Sequence, residues 1–200
     1  MTKTLVTAVA ACILVGGCAV KTRTAALGPA SAMDGGRLPQ AVAGIEGMEK
    51  DLFRDGRVLV GGQPAEGSFP GLAKLGVVAV VNLRPPREMS DKAEVPFDEA
   101  ATAARLGMEY VSIPIGGTEY PYRPQAVEQL AQVLERVSGP VLVHCRSGVR
   151  ASYLWAAYLV RYGGLDLDAA VARGRAMAIP PDPLGMLLDR QLKPAPAGAR

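Results

Sequence analysis

Residues 141–152 read VLVHCRSGVRAS, and this stretch decides how the rest of the sequence is interpreted. An aliphatic run ends at His144 and Cys145, a loop containing Gly148 follows, and a helix-like sequence resumes at Arg150. A buried strand that leads through a short loop into a helix is typical of an α/β sheet. Such sheets bind ligands at the carboxyl ends of their strands. The stretch therefore predicts a ligand site at Cys145.

The loop after Cys145 has the composition of an anion-binding cradle. Backbone N–H groups between Arg146 and Arg150 can converge on one point, and the dipole of the following helix favours an anion there. Gly148 lets the backbone approach closely, and the Arg150 guanidinium can bind an oxyanion through two hydrogen bonds. The same field favours the thiolate form of a cysteine. We therefore predict that Cys145 is a nucleophile and that Arg150 holds its substrate.

Neighbouring side chains are assigned to the same site. We expect Ser147 and Ser152 to donate hydroxyl hydrogen bonds to the sulfur, and His144 to orient the loop by hydrogen bonding. Arg84 follows another predicted strand at the same edge of the sheet and is expected to form part of the pocket wall. The alternative is an inert buried cysteine, because free cysteine is among the most buried residue types. The predicted substrate-binding residues are His144, Arg146, Ser147, Gly148, Val149, Ser152 and Arg84.

The sequence contains few Cys and His residues that could bind a metal ion. His144 is the only histidine, and Cys145 is the cysteine that is left once Cys12 and Cys18 are assigned to the N-terminal segment. A zinc site of the Cys/His type needs about four such ligands. We therefore predict neither a metal site nor a cofactor.

The first residues, 1–17, are a predicted targeting segment. Lys3 supplies positive charge, and the apolar run over 5–15 is too short to remain as a membrane-spanning helix. Small residues directly before Cys18 resemble a bacterial lipoprotein signal, in which Cys18 is lipidated and becomes the mature N-terminus. An ordinary secretory signal is the alternative. Ala19 at the next position favours the outer membrane, so we expect a lipid-anchored protein of the cell envelope that faces the periplasm.

The whole chain has 200 residues, so the part after the targeting segment is long enough for one domain. The net charge is +3 and there is no long Lys/Arg run, which argues against a nucleic-acid partner. Residues 18–45 are small, polar and rich in Gly and Pro, and they are predicted to form a flexible tether. The predicted catalytic domain covers 46–193, and a loose tail covers 194–200.

Hydrophobic patterns within this domain alternate between strands and helices. Such alternation predicts a single α/β domain whose mostly parallel central sheet is flanked by helices. The predicted strands lie at 57–60, 77–83, 108–113 and 141–144, and the predicted helices at 69–75, 98–106, 124–137, 149–162, 167–177 and 184–192.

The active-site stretch resembles known families. HCRSGVRAS, at 144–152, resembles the signature of the cysteine-dependent phosphatase superfamily, which includes the protein tyrosine and dual-specificity phosphatases, and also the loop of rhodanese-type sulfurtransferases. The wider context resembles the β-lactamase-hydrolase-like phosphatase-like family over about 50–180, which implies a dual-specificity-phosphatase-like fold. The residues that carry this wider resemblance are GGQP at 61–64, the Leu-Gly-Val to Asn-Leu-Arg stretch at 75–84, GPVLVHC at 139–145 and the helix containing Trp155.

Two departures from the phosphatase pattern bear on the chemistry. Those phosphatases have five residues between cysteine and arginine, whereas four separate Cys145 from Arg150 here, and Ala151 intervenes before Ser152. They also place an aspartic general acid on a loop before the cysteine. This chain has no aspartate between 99 and 145, so Glu119 is the predicted general acid.

Three functions follow from these observations. The breadth of the resemblance favours a phosphatase that acts on a phosphomonoester through a phosphocysteine intermediate. The short loop favours a sulfurtransferase, which would form a persulfide on Cys145 from a sulfane-sulfur substrate and would need no general acid for the attack. The third alternative is a non-catalytic anion-binding or interaction module at the membrane.

Overall fold

The structure, a computed structural model, describes residues 37–177 and 184–189. Six strands form one sheet in the order β1-β2-β3-β6-β4-β5. The pairs β3–β6, β6–β4 and β4–β5 are parallel, and the pairs β1–β2 and β2–β3 are antiparallel. The strands are β1 (Gln40–Val42), β2 (Leu52–Asp55), β3 (Val58–Gly61), β4 (Ala79–Asn82), β5 (Glu109–Ser112) and β6 (Val141–His144).

Helices connect the parallel strands and cover both faces of the sheet. In the part of the chain that the structure describes, none of them is long and apolar enough to cross a membrane. They are α1 (Phe69–Lys74), α2 (Pro86–Met89), α3 (Glu99–Arg105), α4 (Pro124–Arg136), α5 (Val149–Arg161), α6 (Leu167–Ala176) and α7 (Leu184–Leu187).

β6 lies in the buried interior of the sheet, between β3 and β4. Every residue of β3, β4 and β6 is buried, as expected for parallel strands that are covered on both faces. Side chains alternate across the sheet, so Val141 and Val143 pack in the core formed with α4 and α5, while Leu142 packs in the core formed with α1 and α3. Cys145 continues the first set and therefore lies on the α4–α5 face.

The predicted α/β domain with a mostly parallel sheet is confirmed, and the structure adds two strands. β2 was not predicted, and β1 lies within residues 18–45, which the sequence indicated to be tether. β1 is a short edge strand with mostly exposed side chains, so its hydrophobic pattern is weak, and pairing with β2 supplies its backbone hydrogen bonds. The predicted targeting segment, Cys18 and the tail at 194–200 lie outside the described residues.

A buried ion pair fixes α5 and α6 to the end of β2. Asp55 accepts hydrogen bonds from Arg173 on α6 and, at 2.9 Å, from the indole Nε1 of Trp155 on α5. Asp55 and Arg173 are both at least nine-tenths buried. Their removal from water is costly, so the pair is stable only while both partners remain.

We expect Asp55→Ala to destabilise the fold strongly, because it leaves the Arg173 cation buried without its counter-charge. The free energy of unfolding in urea should fall by about 3–5 kcal/mol. Glu109→Ala is the control, because it breaks the exposed pair with Arg136 and should cost less than about 1 kcal/mol. Equal losses for the two variants would contradict the assignment.

Candidate active site

The loop between β6 and α5 is fastened to the end of β3. Gln63 N donates to the Arg146 carbonyl at 2.9 Å, and Cys145 N lies 3.4 Å from the Gly61 carbonyl oxygen. Gly148 caps α5 with φ of 87°, and a Cβ there would lie 3.3 Å from the Gly61 carbonyl carbon. Both the positive φ and the close approach favour glycine. The first N–H groups of α5 have no acceptor within the helix, so they remain available to an anion.

Cys145 lies at the floor of this loop, and its neighbour is a guanidinium. The residue is only 1% exposed, and its side chain lies close enough to that of Arg150 for the two to interact electrostatically. Burial lowers the pKa of Arg150, but the Glu88 carboxylate and the charge of Cys145 outweigh this effect, so the pKa is raised above its usual value. The structure therefore brings the predicted nucleophile and the predicted anion-binding side chain together.

Glu88, on α2, orients Arg150. Its two carboxylate oxygens accept hydrogen bonds from Arg150 Nη1 at 3.0 Å and from Nη2 at 2.8 Å, and the Ile115 carbonyl accepts a further one from Nη1 at 2.7 Å. Burial raises the pKa of Glu88, but the hydrogen bonds and charges of Arg150 and Arg84 lower it below its usual value. The carboxylate is therefore a fixed anion. The sequence alone does not identify Glu88 as the partner of Arg150.

Arg84 does not form the pocket wall that the sequence predicted. Its side chain is fully buried, and each of its three guanidinium nitrogens donates to a neighbour: Nε to Glu88 at 3.1 Å, Nη1 to Gln63 at 2.9 Å, and Nη2 to Glu94. Because these donors are engaged away from solvent, Arg84 supports the site from behind.

His144 also lies behind the site. Residues alternate along β6, so its side chain is on the opposite face of the sheet from Cys145. It is fully buried, with Nε2 2.6 Å from a carboxylate oxygen of Glu99 on α3. The two groups are in close contact, but their geometry does not meet that of a hydrogen bond. The His144 side chain therefore faces away from Cys145, and substrate binding by His144 stays a prediction.

Glu99 was missed as a site residue. Burial raises its pKa, but the adjacent His144 ring and a hydrogen bond from Gln63 lower it below the usual value. Gln63 Nε2 donates to Glu99 at 2.8 Å. The only sequence signal was an acidic residue at the start of a predicted helix, and that position is common for carboxylates that interact with the helix dipole.

The remaining loop side chains divide into buried and exposed groups. Ser152 is buried and its hydroxyl donates to the Gly148 carbonyl at 2.8 Å, so the predicted bond to the sulfur is replaced by one that closes the first turn of α5. Arg146 is exposed and pairs with Glu94 at 2.7 Å. Ser147 is exposed at the rim and Val149 is partly buried at the start of α5. Of these four side chains, those of Arg146, Ser147 and Val149 are at least partly exposed, and that of Ser152 is not.

The predicted general acid lies on the loop that precedes α4. Glu119 is exposed there, and the hydrogen bond between its carboxylate and the Tyr120 hydroxyl raises the pKa of Tyr120. Tyr122 is the tyrosine that faces the site. Its pKa is raised by burial and by the charge of Cys145, against the lowering effect of Arg150, and its ring packs edge-on against Tyr153. In the described residues, no group of three or more His, Cys, Asp or Glu side chains could hold a metal ion.

Comparison with known proteins identifies relatives. The family model for the phosphatase-like domain of beta-lactamase hydrolase-like proteins matches residues 58–160. The beta-lactamase hydrolase-like protein of Xylella fastidiosa (strain Temecula1) is 32% identical over 120 residues, which are 60% of this chain and 27% of that protein. The homologue in Agrobacterium fabrum is 32% identical over 100 residues, 50% of this chain and 22% of the homologue. The chain thus spans less than a third of these relatives.

Solved structures of phosphatases share the fold. Tk-PTP in its active form is 25% identical, with a TM-score of 0.54 over 68% of this chain and 95% of Tk-PTP. PTPMT1 is 20% identical, with a TM-score of 0.54 over 66% of this chain and 87% of PTPMT1, and supports the fold alone. The likeness to Tk-PTP agrees with a cysteine-phosphatase-type enzyme. With the family match extending over β3 to α5, the chain belongs to the beta-lactamase hydrolase-like protein, phosphatase-like domain family.

Proposed function

We propose that this protein hydrolyses a phosphomonoester through a phosphocysteine intermediate. The observation that carries the proposal is the pairing of Cys145 with a guanidinium that Glu88 holds in place, beside the open N–H groups of α5. Three of the five N–H donors of Arg150 are bound by Glu88 and Ile115. The remaining donors, on Nε and Nη2, are those available to the sulfur and to an oxyanion bound against it.

The proposed reaction has two steps. The Cys145 thiolate attacks phosphorus, and the S–P bond forms as the ester P–O bond breaks and the leaving alkoxide takes a proton from the general acid. Arg150 and the first amides of α5 bind the non-bridging oxygens, over which the charge of the transferring phosphoryl group is spread. Water then attacks the phosphocysteine, which releases inorganic phosphate and restores the thiolate.

A sulfurtransferase is the second candidate, because four residues rather than five separate Cys145 from Arg150. A shorter loop encloses a smaller group on the sulfur, such as the outer sulfur of a persulfide. In that reaction the thiolate attacks a sulfane sulfur and passes it to a thiol or to cyanide. A non-catalytic anion-binding module is the third alternative.

We also propose that Cys18 is lipidated and anchors the domain in the outer membrane, facing the periplasm. The support is the short apolar segment followed by small residues and a cysteine. The substrate would then be a phosphorylated molecule of the cell envelope.

The reaction class is tested with two donors. We expect the protein to hydrolyse p-nitrophenyl phosphate, to show no cyanide-dependent turnover of thiosulfate, and to lose all turnover in Cys145→Ser. Turnover of thiosulfate alone would establish the sulfurtransferase. A protein that turns over neither donor but binds phosphate equally well with and without the substitution would be a binding module.

The general acid is tested with leaving groups of different basicity. We expect Glu119→Gln to lower kcat by about 10²-fold or more for an alkyl phosphate, and much less for p-nitrophenyl phosphate, whose leaving group needs little protonation. The fall of kcat at high pH should also disappear, because it reports deprotonation of the acid. Tyr122→Phe is the matched variant. If it shows this pattern and Glu119→Gln does not, Tyr122 is the acid.

The anchor is tested by fractionation of cells that express the full chain. We expect the protein in the membrane fraction, carrying lipid on Cys18, and expect Cys18→Ala to abolish the lipid modification. Cys12→Ala is the control, because Cys12 lies within the predicted targeting segment and should change neither location nor modification. An unmodified N-terminus in wild-type protein would contradict the proposal.

A further inference from the structure

The loop between β5 and α4 lies against two arginine side chains at the carboxyl edge of the sheet. A Cβ on Gly116 would lie 3.1 Å from Arg150 Nη1, and a Cβ on Gly117 would lie 3.0 Å from Arg87 Nη2. The two glycines have φ of 137° and 73°, which residues with a Cβ rarely adopt. Glycine loses more backbone entropy on folding than other residues, so two in succession are expected where the backbone must turn and approach a neighbour closely. These two glycines therefore let one short turn pack on both guanidinium groups.

The same contacts limit the distance between the two guanidinium groups. Consecutive Cα atoms of a chain are about 3.8 Å apart. Because Arg150 and Arg87 pack on consecutive glycines, Arg150 Nη1 and Arg87 Nη2 are at most roughly 13 Å apart. A small molecule that is bound at Cys145 can therefore also reach Arg87.

Arg87 differs from the other arginines at this edge of the sheet because it has no counter-charge. Arg84, Arg146 and Arg150 each pair with a glutamate. The Arg87 side chain is exposed, and within the described part of the chain it forms neither an ion pair nor a hydrogen bond. A guanidinium has five N–H donors, and those of Arg87 are therefore available to a ligand.

The backbone of Arg87 is fixed by two prolines and by the turn that they begin. Arg87 follows Pro85 and Pro86, whose rings restrict φ, and it lies on the single turn of α2. Glu88 N donates to the Pro85 carbonyl at 2.9 Å, and the Glu88 side chain on the same turn binds Arg150. One rigid turn thus carries Arg87 and orients the guanidinium beside the nucleophile. Less conformational freedom is lost when a ligand joins groups that are already held in this way.

We propose that Arg87 forms a second anion-binding subsite, and that this protein prefers phosphomonoesters that carry a second phosphate group. Arg150 and the first amides of α5 hold one phosphate at Cys145, and Arg87 holds the other at the rim. A guanidinium with free donors binds a phosphate through two parallel hydrogen bonds, which are stronger than those between neutral groups. The inference rests on the proposed function in placing the first phosphate at Cys145, and it names the class of substrate that the site selects.

Binding to the full chain that carries Cys145→Ser tests the subsite without hydrolysis. The probes are butanediol bisphosphate and butanediol monophosphate, which differ only in the second phosphate, and their affinities are measured by isothermal titration calorimetry. We expect the bisphosphate to bind about tenfold more tightly, because a hydrogen bond to a charged group contributes a free energy of that order. The ratio of the two affinities should fall as the ionic strength is raised, because salt screens an exposed charge.

Substitution of Arg87 separates the subsite from the general charge of the surface. Arg87→Gln should reduce the ratio to about twofold, the statistical advantage of two equivalent phosphates, and Arg87→Lys should retain part of the preference because it keeps the charge but not the planar fork. Arg136→Gln is the matched control: it removes the same charge at the last residue of α4, where Arg136 pairs with Glu109, and it should keep the preference. A preference that is no greater than the statistical factor before substitution, or that persists in Arg87→Gln, overturns the proposal.

Steady-state kinetics show whether the subsite serves the reaction. With Cys145 intact, Arg87→Gln should raise KM for butanediol bisphosphate and change kcat little, because the second phosphate is bound alike in the ground state and in the transition state. A lowered kcat with an unchanged KM would show that Arg87 supports the loop and does not bind substrate.

The two proposals fail in different ways. Protein that hydrolyses p-nitrophenyl phosphate but binds the two probes with equal affinity refutes the subsite alone. Protein whose preference for the bisphosphate depends on Arg87, but which releases no phosphate from any ester, refutes the proposed function and leaves the subsite standing. If neither probe binds, the subsite is refuted as well.

Discussion

The parallel pairing of β6 between β3 and β4 is the constraint on which the site depends. It places Gly61, Leu83 and His144 at one edge of the sheet. There the Gly61 carbonyl accepts a hydrogen bond from Cys145 N, and the His144 carbonyl accepts one from Leu83 N. The loop after β6 therefore starts from a backbone that is held on both sides. Rigid support of this kind keeps a catalytic loop within the narrow geometric limits that chemistry requires.

Alternating cationic and anionic side chains also hold the residues of the site in place. Arg84 is buried and binds both Glu88 and Glu94, and these carboxylates bind Arg150 and Arg146 in turn. A buried guanidinium is tolerated when its donors are satisfied by carboxylates with good geometry, and such bonds are stronger than those between neutral groups. Ion pairs and hydrogen bonds thus orient the Arg150 side chain in the absence of substrate.

Sequence patterns predicted the local parts of this structure well. The apolar runs that became β3, β4 and β6 were recognisable because buried parallel strands need no polar alternation, and the half-exposed edge strand β5 was also predicted. The Cys145–Arg150 pairing was also predictable, since both residues belong to one loop. Contacts such as Arg150 with Glu88, 62 positions apart, or Arg173 with Asp55, 118 apart, depend on which faces meet and leave no local pattern. The edge strand β1 was missed because exposed strands carry little hydrophobic signal.

The opposite orientations of His144 and Cys145 have a consequence for how such a domain can diverge. The sheet acts as a partition: the reactive sulfur lies among the core side chains beneath α4 and α5, and the buried contact of His144 with Glu99 lies on the other face. Substitutions on that second face change no side chain of the loop that surrounds Cys145. The packing of that face can therefore diverge while the surface that meets the substrate keeps its residues.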